Sequence, residues 1–141
     1  MKGPATPPGR EPVYFSYIVH FRPEELGLDL PVTVFKAAVQ KALAAEGISM
    51  GQWQRVPVPA QSVFQDLQGY GKGCPWTCGF YGKEIRYRGE DYPETIKFIA
   101  EHSYLSSVYP PNTMELMEQY VAGFTKVMSR PDAISRLAQG N

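Results

Sequence analysis

Apolar and polar positions alternate with period two in VYFSYIVHFRP, near the start of the chain. Val13, Phe15, Tyr17, Val19 and Phe21 fall on one side, and Tyr14, Ser16, Ile18, His20 and Arg22 on the other. The β-branched and aromatic content predicts a strand, and its half-apolar second side predicts partial cover on both faces. His20 reads as an interstrand or edge residue, because a lone histidine needs partners to hold a metal.

After the turn-like EELGLDLP the period changes. PVTVFKAAVQKALAAEG places Phe35, Val39, Ala42 and Leu43 on one helical face, with Lys36 and Gln40 outside it. Pro31 suits the first turn and Gly47 the left-handed position after the last one. ISMGQWQRV can form a strand before Pro57 and Pro59 stop it. KEIRYRGEDY is polar and reads as a short strand or turn. DYPETIKFIAEHS predicts a helix with Asp91 as N-cap, Pro93 in the first turn and Glu94 at the third position. Ile96, Ile99 and Ala100 are its expected buried side, and His102 sits well near its C-terminus against the helix dipole. LSSVYPP reads as a short strand, and NTMELMEQYVAGFTKVM as a helix capped by Asn112 with Glu115 at the third position. Its stripe of Leu116, Met117, Tyr120, Val121, Phe124, Val127 and Met128 is expected to be core.

The predicted architecture is α+β, a small layer of mostly antiparallel strands covered by helices. Residues 1–12 are a Pro- and Gly-rich lead-in expected to be flexible. Residues 13–128 form the domain, and residues 129–141 a polar tail expected to fray, with AISRLA able to add a turn.

Residues 48–81 break both periodicities. They hold both tryptophans and both cysteines, and Trp53, Phe64, Tyr70, Trp76, Phe80 and Tyr81 give the loop apolar surface to bury. A loop this long inside a small domain is uncommon and tends to be functional or disordered; its aromatics argue against disorder.

Composition narrows the function classes. The chain has 141 residues, with 14 basic and 14 acidic side chains, so no charge excess points to nucleic acid or an anionic membrane. No apolar run approaches the roughly 20 residues that span a bilayer. The N-terminal MKGPATPPGREP lacks the apolar stretch of a secretory signal, which makes a cytoplasmic location the expectation. Cys74 and Cys78 in CPWTC have neither redox C-x-x-C spacing nor a second pair to complete a zinc site, so they are expected to be reduced thiols.

GYGKGC lacks the spacing of a phosphate-binding loop, though Lys72 is placed to reach an anionic group on a ligand or partner. No nucleophile elbow or triad pattern is present. No catalytic residue and no metal ligand is nominated.

Several strings occur in an order that resembles the C-terminal small domain of the DegT/DnrJ/EryC1/StrS family, the sugar aminotransferases that use pyridoxal phosphate. They are FSYIVHFRPEELG, the helix end ALAAEGI, RVPVPAQSVFQ, the CPWTC region, and ETIKFIAEHSYLSSVYPPNTMELMEQYVAGFTKV. The resemblance covers most of residues 13–128. It implies the small-domain fold of fold-type I aminotransferases, a role in amino-sugar or aminocyclitol metabolism, and closure over an active site. In that family a large N-terminal domain supplies the Schiff-base lysine, the ring-stacking residue and the aspartate at the pyridine nitrogen. That domain is absent from this sequence. None of its lysines sits in a matching motif, so no cofactor is expected on this chain alone, and pyridoxal phosphate is implied for a partner or parent enzyme. The family often carries a histidine in a Pro-x-His segment near the substrate; here Pro59-Ala60-Gln61 carries Gln61, whose amide can hydrogen-bond a sugar but cannot transfer a proton.

Three readings follow. The chain is a small subunit that completes the active site of a cofactor-bearing partner, or a non-catalytic accessory or regulatory binding protein, or a piece of a longer enzyme. A homo-oligomer is the other way to cover the face that a large domain would occupy. Trp53, Gln61, Lys72 and Trp76 are the residues expected to face partner or substrate.

Overall fold

The computed structural model describes residues 3–80, 83 and 85–140. The chain forms two compact units: Met1–Trp53 with Ala100–Asn141, and Gln54–Ile99.

In the first unit, β1 (Tyr17–His20) pairs antiparallel with β2 (His102–Leu105), with Tyr17 opposite Leu105 and His20 opposite His102. The expected first strand is thus only its second half; Val13 and Phe15 stand exposed. The expected strand at 48–56 contracts to one residue. Gly51 and Tyr104 exchange both backbone hydrogen bonds, at 2.9 and 3.0 Å. A side chain at 51 would run into the Tyr104 ring, so the close pairing needs glycine. The later strand lies at His102–Leu105 rather than across LSSVYPP. Tertiary pairing overrides local pattern here: β2 follows directly on a helix, and its edges are satisfied by β1 and Gly51.

Helix α1 (Val32–Ala45) buries Phe35, Ala38, Val39 and Leu43. Burying one such large apolar side chain contributes about 1.5–3 kcal/mol. The helix ends as its sequence predicts. Gly47 takes φ +81°, its N–H reaches Ala44 O at 3.0 Å, and Ile48 N–H reaches Leu43 O at 2.9 Å. These two bonds satisfy the last carbonyls and return Ile48 to the core beside Leu43.

Helix α4 (Met114–Met128) crosses the same core so closely that a Cβ at Gly123 would press on Ile48 Cδ1. Its cap is Thr113, whose hydroxyl accepts from Leu116 N–H at 3.3 Å; Asn112 instead donates to Tyr109 O at 2.9 Å. Glu115 accordingly stands at the second helical position rather than the third. Of the predicted stripe Val127 is buried, while Val121 points outward. Lys126 Nζ meets Glu46 Oε2 at 2.7 Å, joining α4 to the end of α1.

The tail does not fray. Pro131–Ala138 form a helix, α5, with Pro131 in its first turn, Asp132 near its N-terminus and Arg136 near its C-terminus. Ile134 is only 2% exposed and packs with the core, and α5 contacts α1 and α4.

The second unit is built of short turns: a 3-10 turn at Val58–Ala60, one helical turn α2 (Ser62–Gln65), and a 3-10 turn at Gly89–Asp91. Helix α3 (Pro93–Glu101) begins in it. Asp91 is not the cap of α3; with Glu90 it faces Arg88, at 3.8 and 3.0 Å. Ile96, expected to be buried, is exposed, and His102 lies in β2, 3% exposed, rather than at a helix end. Tyr81, counted above among the loop aromatics, and Glu84 of the 83–92 segment lie outside the described residues. No helix among the described residues is long and apolar enough to cross a membrane. Among the described residues the architecture is a mixed α+β one of five helices with a two-stranded antiparallel sheet.

Candidate functional site

The four nominated residues divide between the units. Trp53 belongs to the first, where it is 67% exposed and meets Phe15 edge to face at 6.1 Å. Gln61, Lys72 and Trp76 belong to the second.

Gln61 stands at the N-cap of α2 in extended conformation. Its carbonyl accepts from Phe64 and Gln65, and its side-chain Nε2 donates to Gln54 Oε1 at 3.3 Å. The amide is therefore held, with lone pairs on Oε1 still able to accept from a hydroxylated ligand. One turn later Gln65 Nε2 donates to Pro59 O at 2.6 Å and to Tyr87 O at 2.9 Å. That side chain fastens the Tyr87 strand of backbone to α2.

Trp76 is half-buried. Its indole N–H donates to Tyr87 Oη at 3.0 Å, and Phe64 lies edge to face against both rings, at 6.2 Å from Trp76 and 5.3 Å from Tyr87. Phe64 and Tyr87 were not nominated from sequence. The signal available was their aromatic character in a segment without periodicity.

The loop that presents Trp76 is tightly curled. Leu67, Gly69, Gly71, Lys72 and Gly73 all have positive φ. At Gly69 glycine is required twice, since φ is +49° and a Cβ would strike the Cys74 carbonyl and the Trp76 ring. Lys72 adopts φ +53° without glycine's freedom, which is local strain, and its side chain is exposed.

Cys74 and Cys78 are joined in a disulfide, which corrects the expectation of reduced thiols. The curl brings their Cα atoms to 4.9 Å, inside the range that a disulfide spans. Sequence spacing alone could not show this, because it depends on the turn in which Thr77 and Cys78 N–H share the Gly73 carbonyl. Among the described residues no cluster of His, Cys, Asp or Glu could hold a metal ion.

The first unit has a cavity of about 450 Å³ between the sheet and α4. Tyr17, Val19 and Leu105 line it from the strands, and Met117, Tyr120 and Phe124 from the helix, with Tyr14 edge-on to Tyr17 at 5.1 Å. It has the size of a small-ligand pocket and is predominantly apolar, with tyrosine hydroxyls as its polar groups.

A polar set tethers α1 to the sheet. Lys36 Nζ donates to Gln52 Oε1 at 3.1 Å and to His102 O at 3.3 Å, while Gln40 Nε2 donates to Ser103 Oγ at 2.8 Å. Partial burial holds the Lys36 ammonium below the usual lysine range. Both residues had been placed outside the helix's contact face. They reach the sheet by their length.

Three of the described lysines, Lys36, Lys41 and Lys126, lie in surroundings that do not suit a pyridoxal phosphate imine. Lys36 is engaged with Gln52 and His102, and Lys126 with Glu46. Lys41 borders a cavity walled by Thr33, Val34, Ala37, Ala38, Leu137 and Ala138, which supplies neither a ring to stack on the cofactor nor a carboxylate for its pyridine nitrogen.

Comparison with protein-family models finds none that matches the chain, and comparison with curated proteins finds no match either.

Proposed function

We propose that this chain is a small-domain-like subunit that completes the active site of a separate, cofactor-bearing aminotransferase partner acting on a sugar or aminocyclitol. The observation that carries this is the surface of the second unit. Its described residues contribute none of the buried hydrophobic core, and Val58, Val63, Tyr70, Phe80, Ile96 and Phe98 are exposed. A unit that leaves this much apolar surface uncovered while being internally pinned is suited to docking on another protein. The order of strings along the chain points the same way by resemblance.

In this reading imine chemistry belongs to the partner. This chain contributes position and hydrogen bonds: Gln61 accepts from a substrate hydroxyl, and the Lys72 ammonium meets an anionic group of substrate or partner. A cytoplasmic location, and a homo-oligomer formed when the partner is lacking, belong to the same proposal.

The test is co-purification of the tagged chain from its native host with mass spectrometry and an absorbance scan, followed by an activity assay of the purified pair. A partner that carries bound pyridoxal phosphate and needs this chain for amino transfer supports the reading. Recovery from the native host without any protein that carries pyridoxal phosphate overturns it.

The tyrosine-lined cavity of the first unit favours a second reading, an accessory binding protein whose ligand is small and largely apolar. Saturable binding of such a ligand in the absence of any cofactor-bearing partner would select it.

A further inference from the structure

We propose that the Cys74–Cys78 disulfide is a redox latch that holds Trp76 in place, so that the oxidation state of this pair sets the shape of the second unit's exposed loop. Trp76 lies inside the ring that the disulfide closes. Every contact described for its side chain reaches back across the unit: the indole N–H to Tyr87 Oη, the ring against Phe64, and the ring over the backbone of Gly69. The turn beneath it depends on Thr77 N–H and Cys78 N–H, which share Gly73 O at 2.6 and 3.2 Å, and on Tyr70 N–H to Cys74 O at 2.9 Å.

Against these bonds stands the strain of Lys72 and Leu67, both left-handed without being glycine. The disulfide closes a ring of five residues, 74 to 78, around Trp76 and reinforces the turn that the Gly73 carbonyl anchors. Reduction by a dithiol breaks the S–S bond with two electrons and two protons: both sulfurs become thiols and the reductant becomes a cyclic disulfide. The turn carrying Trp76 then rests on the Gly73 carbonyl bonds alone, next to a strained Lys72, and opens. A ring this short restricts the unfolded chain little, so the effect is local and overall stability changes little. Disulfides in reducing compartments are mostly transient and redox-sensing. In a cytoplasmic setting, which rests on the reading above, this pair would act as a sensor; its coupling to Trp76 does not depend on that reading.

The chain has two tryptophans, so Trp53→Phe leaves Trp76 as the sole indole, and the difference between wild type and Trp76→Phe reports the same signal if Trp53→Phe misfolds. The purified full chain is titrated with dithiothreitol while emission is followed, and iodoacetamide labelling read by mass spectrometry counts thiols. The expected result is release of two thiols with a red shift and a roughly twofold rise in acrylamide quenching of Trp76, as a half-buried indole opens to solvent. Reoxidation reverses the change, and Cys74→Ser/Cys78→Ser shows the opened signal throughout. Release of two thiols without a change at Trp76, or two free thiols in the air-oxidised protein, overturns the latch.

Discussion

Gln40 Nε2 donates to Ser103 Oγ at 2.8 Å, and Ser103 has no exposed surface. One bond therefore fixes the middle of α1 against the central strand in a setting where water cannot substitute. Ser103→Ala removes the acceptor and strands the amide, at a cost of about 1–3 kcal/mol. Pairing it with Gln40→Leu removes the donor as well and is expected to recover most of the loss. Urea denaturation of the two singles and the double, read as a double-mutant cycle, checks this.

Ile134→Ala is expected to lower stability by about 2–5 kcal/mol, the range for deleting a buried aliphatic side chain. Ile134 is 2% exposed in a helix that closes the core from the C-terminal end. Thermal unfolding at equal concentration decides it; a change within error would mean that α5 does not dock.

The elements that could be read from sequence were those whose signals are local. Helix α1 and its glycine stop depend on residues within a few positions of each other, and the helix appears where the apolar face predicts it. Helix α4 was also legible, with its cap displaced by one residue, because Asn112 and Thr113 both suit the role and only Thr113 turns its oxygen to the helix. His102 and Ser103 of β2 read as helix and the strand as starting at Leu105, because nothing in HSYL announces that β1 and Gly51 wait on either side. Helix α5 did carry a signal: Pro131 ahead of Asp132, and Ile134, Leu137 and Ala138 at three and four residue steps. Gln61, Lys72 and Trp76 lie together in the second unit, whereas Trp53 belongs to the first. The packing of Trp76 over left-handed Gly69 and the Gly73-anchored turn that pairs the cysteines are conformations that composition does not disclose.

Lys36 should titrate below the ordinary lysine value of 10.5 because burial disfavours its ammonium. The unfolded chain then holds more protons than the folded one between the lowered value and 10.5, so this group's contribution to stability rises with pH through that window. Below the lowered value both states are protonated and its contribution is constant and unfavourable. Side-chain NMR of the Nζ resonance gives the midpoint. The difference in stability between wild type and Lys36→Met should grow in favour of wild type as pH increases through the window.

Lys72→Gly is expected to leave stability within about 0.5 kcal/mol of wild type, since relief of left-handed strain offsets the added freedom of the unfolded chain. The same substitution removes the ammonium proposed to meet an anionic group. Together with Gln61→Ala it should weaken engagement of the cofactor-bearing partner by about fivefold or more, the scale of a residue that matters at an interface. Calorimetric titration against that partner, alongside melting curves, separates lost contact from lost fold.

The reciprocal bonds between Gly51 and Tyr104 act as a collar at the base of an insertion. Everything from Gln54 to Ile99 is strung between two points that the first unit brings together for its own reasons. Closing such a span becomes only slowly harder as it lengthens, by about 0.6 kcal/mol for each doubling. A closing cost that small lets the length of this segment vary while the first unit keeps its own core. If the second unit is the docking surface proposed above, recognition and folding fall in separate parts of one chain and can change at different speeds.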